Sequence, residues 1–177
     1  SPGCRFRVGT WNCRGLLVRK TALRQTKLSK LTSFCRHLDV IALQEVHGSS
    51  ALLNMSLGPL SASFQCFSSC PSGGGGVAFL IRKSFCSDPS HISFSTLVPG
   101  RIVRASFECK DGFLVTLYNT HNHDLTLPLF RVFKDLVQED RLHVDSCPQC
   151  ACLFVLGDFN FLPPGELRCY LSSPTPP

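Results

Sequence analysis

The order of predicted elements in this 177-residue chain indicates an antiparallel-rich α+β domain or a sandwich-type α/β domain. A strand, a basic helix and a buried strand come first, and several strands with a hairpin signal occupy the middle. A second amphipathic helix then leads to a last apolar strand. A doubly wound sheet would instead need strands and helices to alternate throughout. No repeat or linker interrupts this order, which favours one domain.

The first part of the chain predicts two strands around a helix. Residues 5–11 alternate between polar and apolar side chains, as a half-buried strand does. Residues 21–38 carry apolar side chains near helical spacing, with basic residues on the remaining face. Residues 39–46 form a short apolar run that ends in a glutamate and a valine, typical of a buried strand.

The middle of the chain predicts further strands around a glycine run. Residues 64–67 and 77–81 are strand-like, and four consecutive glycines lie between them at 73–76. A phosphate-binding P-loop would need Gly-Lys-Ser/Thr and a helix after the glycines, and neither follows. We therefore expect a flexible turn there.

The second half predicts a hairpin, a helix and a final strand. The Asp-Gly pair at 111–112 separates two strand-like runs, residues 102–110 and 113–118, which is a strong hairpin signal. Residues 92–98 predict another strand before them. Residues 128–142 predict an amphipathic helix whose first turn contains a proline. An apolar run then leads to Asp158.

The composition is that of a globular protein, with 44% hydrophobic and 17% charged residues. No apolar run reaches the roughly 18 residues that a membrane-spanning helix needs. The N-terminal residues lack the apolar core of a secretory signal. We expect an intracellular protein that is neither secreted nor bound in a membrane.

Positive charge is concentrated near the N-terminus. The net charge is +6, and half of the eighteen basic residues precede the first acidic residue, Asp39. Such a segment raises the local positive potential and favours polyanions, nucleic acid first among them. A solvated helix face is the alternative interpretation. The basic residues concerned are Arg5, Arg7, Arg14, Arg19, Lys20, Arg24, Lys27, Lys30 and Arg36.

The chain has eleven cysteines, an odd number. In a chain of this size without a secretory signal, free thiols are expected rather than a disulfide framework. The alternative is a structural zinc site, for which Cys147, Cys150 and Cys152 would need Cys66 and Cys70 as the second ligand pair.

Four polar residues each follow a strand-like run. They are Asn12, Glu45, Asp158 and Asn160. Singly, each is typical of a turn or a surface position. Together they supply the carboxylate and amide oxygens that Mg²⁺ or Mn²⁺ prefers, and amide donors for a phosphate. A bound metal there would polarise a phosphoryl oxygen.

Three segments resemble the endonuclease/exonuclease/phosphatase superfamily in order and strand context. They are residues 9–16 (Gly-Thr-Trp-Asn-Cys-Arg-Gly-Leu), 43–46 (Leu-Gln-Glu-Val) and 156–160 (Leu-Gly-Asp-Phe-Asn). The first looks most like the apurinic-type endonuclease domain of non-LTR (LINE-like) retrotransposons. The resemblance implies a DNase I-like two-sheet β-sandwich flanked by helices (four layers, α/β/β/α) over residues 1–170. It also implies Mg²⁺-dependent phosphodiester hydrolysis, here the nicking of nuclear DNA.

The resemblance also implies roles for individual residues. Glu45 would be the principal Mg²⁺ ligand, with Asn12 beside it contacting the metal or the phosphate. Asp158 would orient or activate the attacking water. Asn160 would bind the scissile phosphate, and Arg14 would contact the substrate. Mn²⁺ is a second possible metal.

The family further places a Tyr or a His at the end of the strand after the hairpin. Tyr118 matches the apurinic-type pattern, whereas His121 in Asn-Thr-His matches other branches. We favour His121 because the strand can extend through residues 119–120, and we keep Tyr118 as the alternate. Both are candidate catalytic residues.

One part of the family pattern has no counterpart here. The family closes its site with a Ser-Asp-His near the C-terminus, and this chain has none among the seventeen residues after Asn160. We expect a domain that lacks its last strands, with a disordered Pro/Ser-rich tail at 171–177.

Two functions are alternatives to DNA nicking. One is that of a superfamily phosphodiesterase acting on RNA or a phospholipid headgroup, and the other is that of a catalytically dead nucleic-acid-binding remnant.

Overall fold

Two four-stranded sheets pack face to face in the computed structural model, with helices on their outer faces. This arrangement confirms the predicted DNase I-like α/β/β/α architecture. The structure describes residues 6–71, 74–122, 126–146 and 151–159. Asn160 and the predicted tail lie outside the described residues. The elements are β1 (Val8–Asn12), α1 (Thr21–Cys35), β2 (Val40–Gln44), α2 (Ser50–Ser56), β3 (Phe64–Ser69), β4 (Val77–Arg82), β5 (Ser93–Val98), β6 (Ile102–Glu108), β7 (Leu114–His121), α3 (Leu127–Ser146) and β8 (Ala151–Asp158).

The first sheet has the strand order β1-β2-β4-β3. Helix α1 connects β1 to β2, which pair in parallel, and β4 and β3 add antiparallel. Every residue of β2 is buried because this strand has neighbours on both sides and packs on both faces. Its outward side chains contact α1 and α2, and its inward ones face the second sheet.

The second sheet has the order β5-β6-β7-β8. The turn at 111–112 joins β6 to β7 as an antiparallel pair, which confirms the predicted hairpin. Helix α3 then returns the chain so that β8 lies parallel to β7. Both sheets therefore contain one parallel pair with a crossover helix, beside antiparallel strands.

The main core lies between the two sheets. Alternate residues of the central strands point inward, as the pleat of a strand requires. The first sheet contributes Val40, Ala42, Val77, Phe79 and Ile81, and the second contributes Val103, Ala105, Phe107, Val115 and Leu117. A second cluster lies under α1 and α2, and a smaller one lies between α3 and the second sheet.

Several element ends differ from the sequence-based predictions. Strand β2 ends at Gln44 instead of continuing to Val46, because Glu45 adopts a positive φ of 53°. Helix α1 ends at Cys35 rather than near Leu38. Helix α2 was not predicted, since its seven residues are too short to show a helical period.

Helix α3 has twenty residues and begins with the predicted proline in its first turn. Charged side chains recur along it, including Lys134, Asp135 and Arg141. Among the described residues, no helix combines the length and apolar character needed to cross a membrane.

Gly157 permits the close pairing of β7 and β8. Its φ is +141°, and a Cβ atom there would lie 1.9 Å from the backbone oxygen of Thr120. We expect Gly157→Ala to lower the free energy of unfolding by about 1–3 kcal/mol more than Gly112→Ala does. Gly112 is the matched control, because its φ is +80° but a Cβ there meets open space. Chemical denaturation measures the free energy of unfolding of both variants. Equal losses of stability would show that the close approach of position 157 to the Thr120 backbone does not make a side chain there more costly.

Candidate active site

The carboxyl ends of four strands meet at one edge of the sandwich. Strands β1 and β2 end together at Asn12 and Gln44, and β7 and β8 end together at His121 and Asp158. Parallel strands end at the same edge of a sheet, so the two crossover units each bring a pair of polar residues there. Glu45 follows directly after β2.

The side-chain amide of Asn12 lies between two carboxylates. Its Nδ2 donates to Glu45 Oε1 at 2.7 Å and to Asp158 Oδ2 at 2.8 Å. Its Oδ1 accepts from the backbone N–H of Arg14 at 3.0 Å. The structure thus brings together the three residues that the sequence predicted to converge, although the last two lie in different sheets.

Glu45 and His47 adopt left-handed backbone conformations, with φ of 53° and 54°. Such a conformation costs about 1–2 kcal/mol for a residue with a Cβ atom. Backbone hydrogen bonds on both sides maintain it: Gly15 N–H donates to Glu45 O at 2.8 Å, and His47 N–H donates to Gly75 O at 2.7 Å. The turn directs the Glu45 carboxylate toward Asn12 instead of into the outer layer.

His121 lies beside Glu45 and is buried, with 4% of its side chain exposed. Its Nε2 is 3.4 Å from Glu45 Oε1, and its Nδ1 is 3.1 Å from Nη1 of Arg101. One ligand atom from each of Glu45, His121 and Asp158 lies within 4.8 Å of the others. His47 adds a second imidazole, with Nε2 3.8 Å from Glu45 Oε2.

Tyr118 points away from this cluster. Side chains alternate along β7, so Leu117 packs between the sheets whereas Tyr118 packs against α3. The Tyr118 hydroxyl donates to Asp140 Oδ2 at 2.6 Å, and burial together with this hydrogen bond raises the pKa of Tyr118. The structure places His121, and not its alternate Tyr118, at the strand ends.

Asp140 is shared by Tyr118 and Arg104. Arg104 donates to the Asp140 carboxylate through Nε at 2.8 Å and Nη2 at 3.1 Å. Burial pushes the pKa of Asp140 upward, but the hydrogen bonds from Arg104 and Tyr118 outweigh it and hold the pKa below its ordinary value. This network attaches α3 to the second sheet.

A buried amide pair forms the floor of the site. Gln44 Nε2 donates to Asn119 Oδ1 at 2.7 Å, which joins the first sheet to the second. Asn119 Nδ2 in turn donates to the backbone oxygens of Leu43 at 3.0 Å and Ala78 at 2.8 Å. Buried polar groups satisfied in this way fix the register of the two sheets beneath the carboxylates.

Lys27 of α1 holds the loop after Asn12. Its ammonium donates to three consecutive backbone oxygens, those of Cys13, Arg14 and Gly15, at 2.8, 2.6 and 2.8 Å. Arg14 lies in this loop with a φ of 45°, and the residue is exposed. The ammonium therefore stabilises the turn whose backbone N–H positions Asn12.

The donor set fits a hard divalent cation. Two carboxylates approach the same Asn12 nitrogen within 2.8 Å, so their negative charges lie close together. A cation beside them would offset this repulsion. Carboxylate oxygens at a partly exposed edge are the ligands that Mg²⁺ and Mn²⁺ take.

Six of the described cysteines are free thiols: Cys13, Cys35, Cys66, Cys70, Cys86 and Cys152. Burial raises the pKa of Cys13 and of Cys66 to about 12, which keeps both protonated at neutral pH. Cys147 and Cys150, two of the proposed zinc ligands, lie outside the described residues. Within the described residues, the group that could hold a metal is Glu45, His121 and Asp158.

Sequence reasoning missed Arg101, Asn119, Lys27 and His47. Asn119 left one signal, an amide directly after an apolar run. Arg101 and Lys27 left none, because each acts on residues distant in the chain. The expected flexible turn at 73–76 also contributes, since Gly75 and Gly76 accept backbone hydrogen bonds from His47 and Val46.

The chain belongs to the Endonuclease/Exonuclease/phosphatase family, whose family model matches residues 9–174. Its members are metal-dependent phosphodiesterases. No curated protein was found to match this chain.

Solved structures with the same fold include TDP2 proteins. A truncated TDP2 from Caenorhabditis elegans has a TM-score of 0.64 and 21% sequence identity, over 89% of this chain and 63% of that one. TDP2 from D. rerio, complexed with a single-strand DNA product, has a TM-score of 0.59 and 18% identity, over 89% of this chain and 62% of that one. The chain thus spans less than two thirds of the length of these proteins.

Removing the Lys27 ammonium tests its hold on the loop. We expect Lys27→Met to lower the free energy of unfolding by about 1–3 kcal/mol, because three backbone oxygens lose a charged donor. Lys20→Met, on an exposed lysine at the start of the same helix, should change it by less than about 0.5 kcal/mol. Urea unfolding compares the two variants. Equal stability would mean that water replaces the ammonium without loss.

Proposed function

We propose that this protein is a Mg²⁺-dependent phosphodiesterase that nicks DNA, of the type found in the endonuclease domain of non-LTR retrotransposons. The observation that carries the proposal is the Asn12 amide joining Glu45 to Asp158 beside His121. Residues 11–16, with the wording Trp-Asn-Cys-Arg-Gly-Leu, support the retrotransposon type. Such an enzyme would act on DNA in the nucleus.

Glu45 and Asp158 would supply oxygen ligands to the metal. Mg²⁺, with Mn²⁺ as a substitute, would when bound polarise a phosphoryl oxygen and stabilise the leaving alkoxide. Asn12 would keep the two carboxylates at a fixed spacing, since its Nδ2 donates to both and its Oδ1 is engaged by the backbone of Arg14.

The protein groups would position the water and the phosphate for in-line attack. Asp158 would accept a hydrogen bond from the attacking water and orient it. His121 would donate from Nε2 to a phosphate oxygen on which charge develops. Asn160 would bind the scissile phosphate as a neutral donor. Arg14, exposed in the loop after Asn12, would contact the DNA backbone.

The basic segment supports a DNA substrate through its exposed loop residues rather than through helix α1. Lys27 is engaged by the loop, and the Lys30 ammonium lies 5.6 Å from the ring centre of Trp11. Arg14, Arg19 and Lys20 are exposed and follow β1 directly. We infer that this loop, rather than the length of α1, contacts the phosphate backbone and makes binding depend on salt.

Replacing Glu45 tests the metal site. We expect Glu45→Gln to reduce Mg²⁺-dependent relaxation of supercoiled plasmid by on the order of 10³-fold, because a metal contributes several kcal/mol of charge stabilisation. Glu139→Gln, the same change at an exposed position of α3, should leave the rate unchanged. EDTA should abolish relaxation by the parent chain. A Glu45→Gln variant as active as the parent would remove Glu45 from the site.

A paired experiment distinguishes the two candidate catalytic residues on β7, His121 and Tyr118. We expect His121→Gln to slow nicking about a hundredfold or more with little change in DNA affinity, since it removes a donor to the phosphate. Tyr118→Phe should retain nicking and instead lose about 1–3 kcal/mol of stability, because the Asp140 carboxylate loses a donor. Plasmid relaxation and thermal unfolding measure the two effects. The reverse pattern would favour Tyr118 as the catalytic residue.

A substrate panel tests the choice of DNA. Double-stranded DNA, RNA and a phosphoinositide, each incubated with Mg²⁺, should show cleavage of DNA first. Cleavage of RNA or release of a phospholipid headgroup would assign the site to another phosphodiesterase of the family. Salt-dependent DNA binding without cleavage would identify a binding remnant.

A further inference from the structure

Arg101 contacts the candidate catalytic histidine in two ways. It lies just before β6, in the turn that follows Gly100. Its side-chain Nη1 is 3.1 Å from His121 Nδ1, and its backbone oxygen accepts from His121 N–H at 2.8 Å. The ring of His121 is thus held between Arg101 on one side and Glu45 on the other.

The chemistry of arginine fixes the direction of the side-chain hydrogen bond. A guanidinium carries five N–H donors and has no acceptor. His121 Nδ1 must therefore be the acceptor and carry no proton. The neutral ring then has its proton on Nε2, the nitrogen that lies 3.4 Å from Glu45 Oε1. The other tautomer would place a ring N–H against a guanidinium N–H.

A protonated ring nitrogen has no lone pair with which to bind a metal ion. His121 lies close enough to Glu45 and Asp158 for all three to share a cation. The tautomer selected by Arg101 instead leaves Nε2 as a hydrogen-bond donor. Distance alone would count His121 among the ligands, whereas the hydrogen-bond direction excludes it.

We propose that Arg101 is a positioning residue that holds His121 as the Nε2–H tautomer and so keeps it out of the metal's ligand set. This inference rests on the proposed function, in which the metal binds beside Glu45. Its consequence is metal selectivity. A site of oxygen ligands suits Mg²⁺ and Mn²⁺, whereas an added imidazole would favour Zn²⁺ and other metals later in the Irving–Williams order.

The glycine segment makes room for the guanidinium. A Cβ atom at Gly75 would lie 2.9 Å from Arg101 Nη1. Gly75 also has a φ of +74° and accepts the backbone N–H of His47. A glycine at this position therefore lets the Arg101 side chain reach His121.

The tautomer is measured directly by ¹⁵N NMR of the imidazole in the metal-free chain, at a pH where His121 is neutral. We expect an unprotonated Nδ1 and a protonated Nε2 in the parent chain. Arg101→Met should shift the ring toward the other tautomer, and Arg19→Met, at an exposed arginine, should not. Gly75→Ala is a second test that keeps the arginine but crowds its Nη1. A protonated Nδ1 in the parent chain would overturn the proposal.

Metal affinity tests the consequence. We expect Arg101→Met to bind Zn²⁺ about tenfold or more tightly than the parent, because Nε2 becomes free to coordinate. Adding His121→Gln to this variant should remove the gain. Unchanged Zn²⁺ affinity in Arg101→Met would contradict the selectivity role. Both measurements use no substrate, so a chain without nuclease activity but with the expected tautomer would refute the proposed function and leave the role of Arg101 standing.

Discussion

The hydrogen bonds from one amide, that of Asn12, hold the candidate site together. Two carboxylates from different layers would repel each other, and the Asn12 nitrogen lies 2.7 and 2.8 Å from their oxygens. A neutral donor lowers this repulsion without adding the charge that a lysine would bring. The spacing of Glu45 and Asp158, and therefore the space left for a cation, depends on where the loop after β1 places this amide.

The surroundings of Asn12 are built to keep that amide in place. Lys27 stabilises the loop from below by binding three backbone oxygens, and Arg14 holds the amide oxygen through its backbone N–H. Under the carboxylates, Gln44 and Asn119 join the two sheets. The strained backbone at Glu45 is tolerated because its neighbours are paired on both sides. Polar contacts across layers thus define the site, and apolar packing defines the sandwich.

The sequence predicted the meeting of Asn12, Glu45 and Asp158 because each follows an apolar run, and strand ends converge at one edge of such a sheet. Periodicity alone did not predict the four layers, which came from the family resemblance. It also did not separate His121 from Tyr118. Strand β7 is buried on both faces, so apolar and polar residues do not alternate along it. The role of Arg101 could not be predicted for a different reason. Its contact with His121 joins residues twenty positions apart, and it lies in a turn whose course depends on three neighbouring glycines.

The bond between Asn12 and Asp158 joins positions 146 residues apart, nearly the whole length of the described chain. The ribosome must therefore release the 146 residues that separate them before the Asp158 carboxylate can reach Asn12. Strand β8 must dock beside β7 to bring Asp158 to the site. Contacts between residues as far apart in the chain as Asn12 and Asp158 slow folding. Incomplete or misfolded copies would lack one carboxylate of the acidic pair, so any hydrolytic activity would arise only once folding is complete.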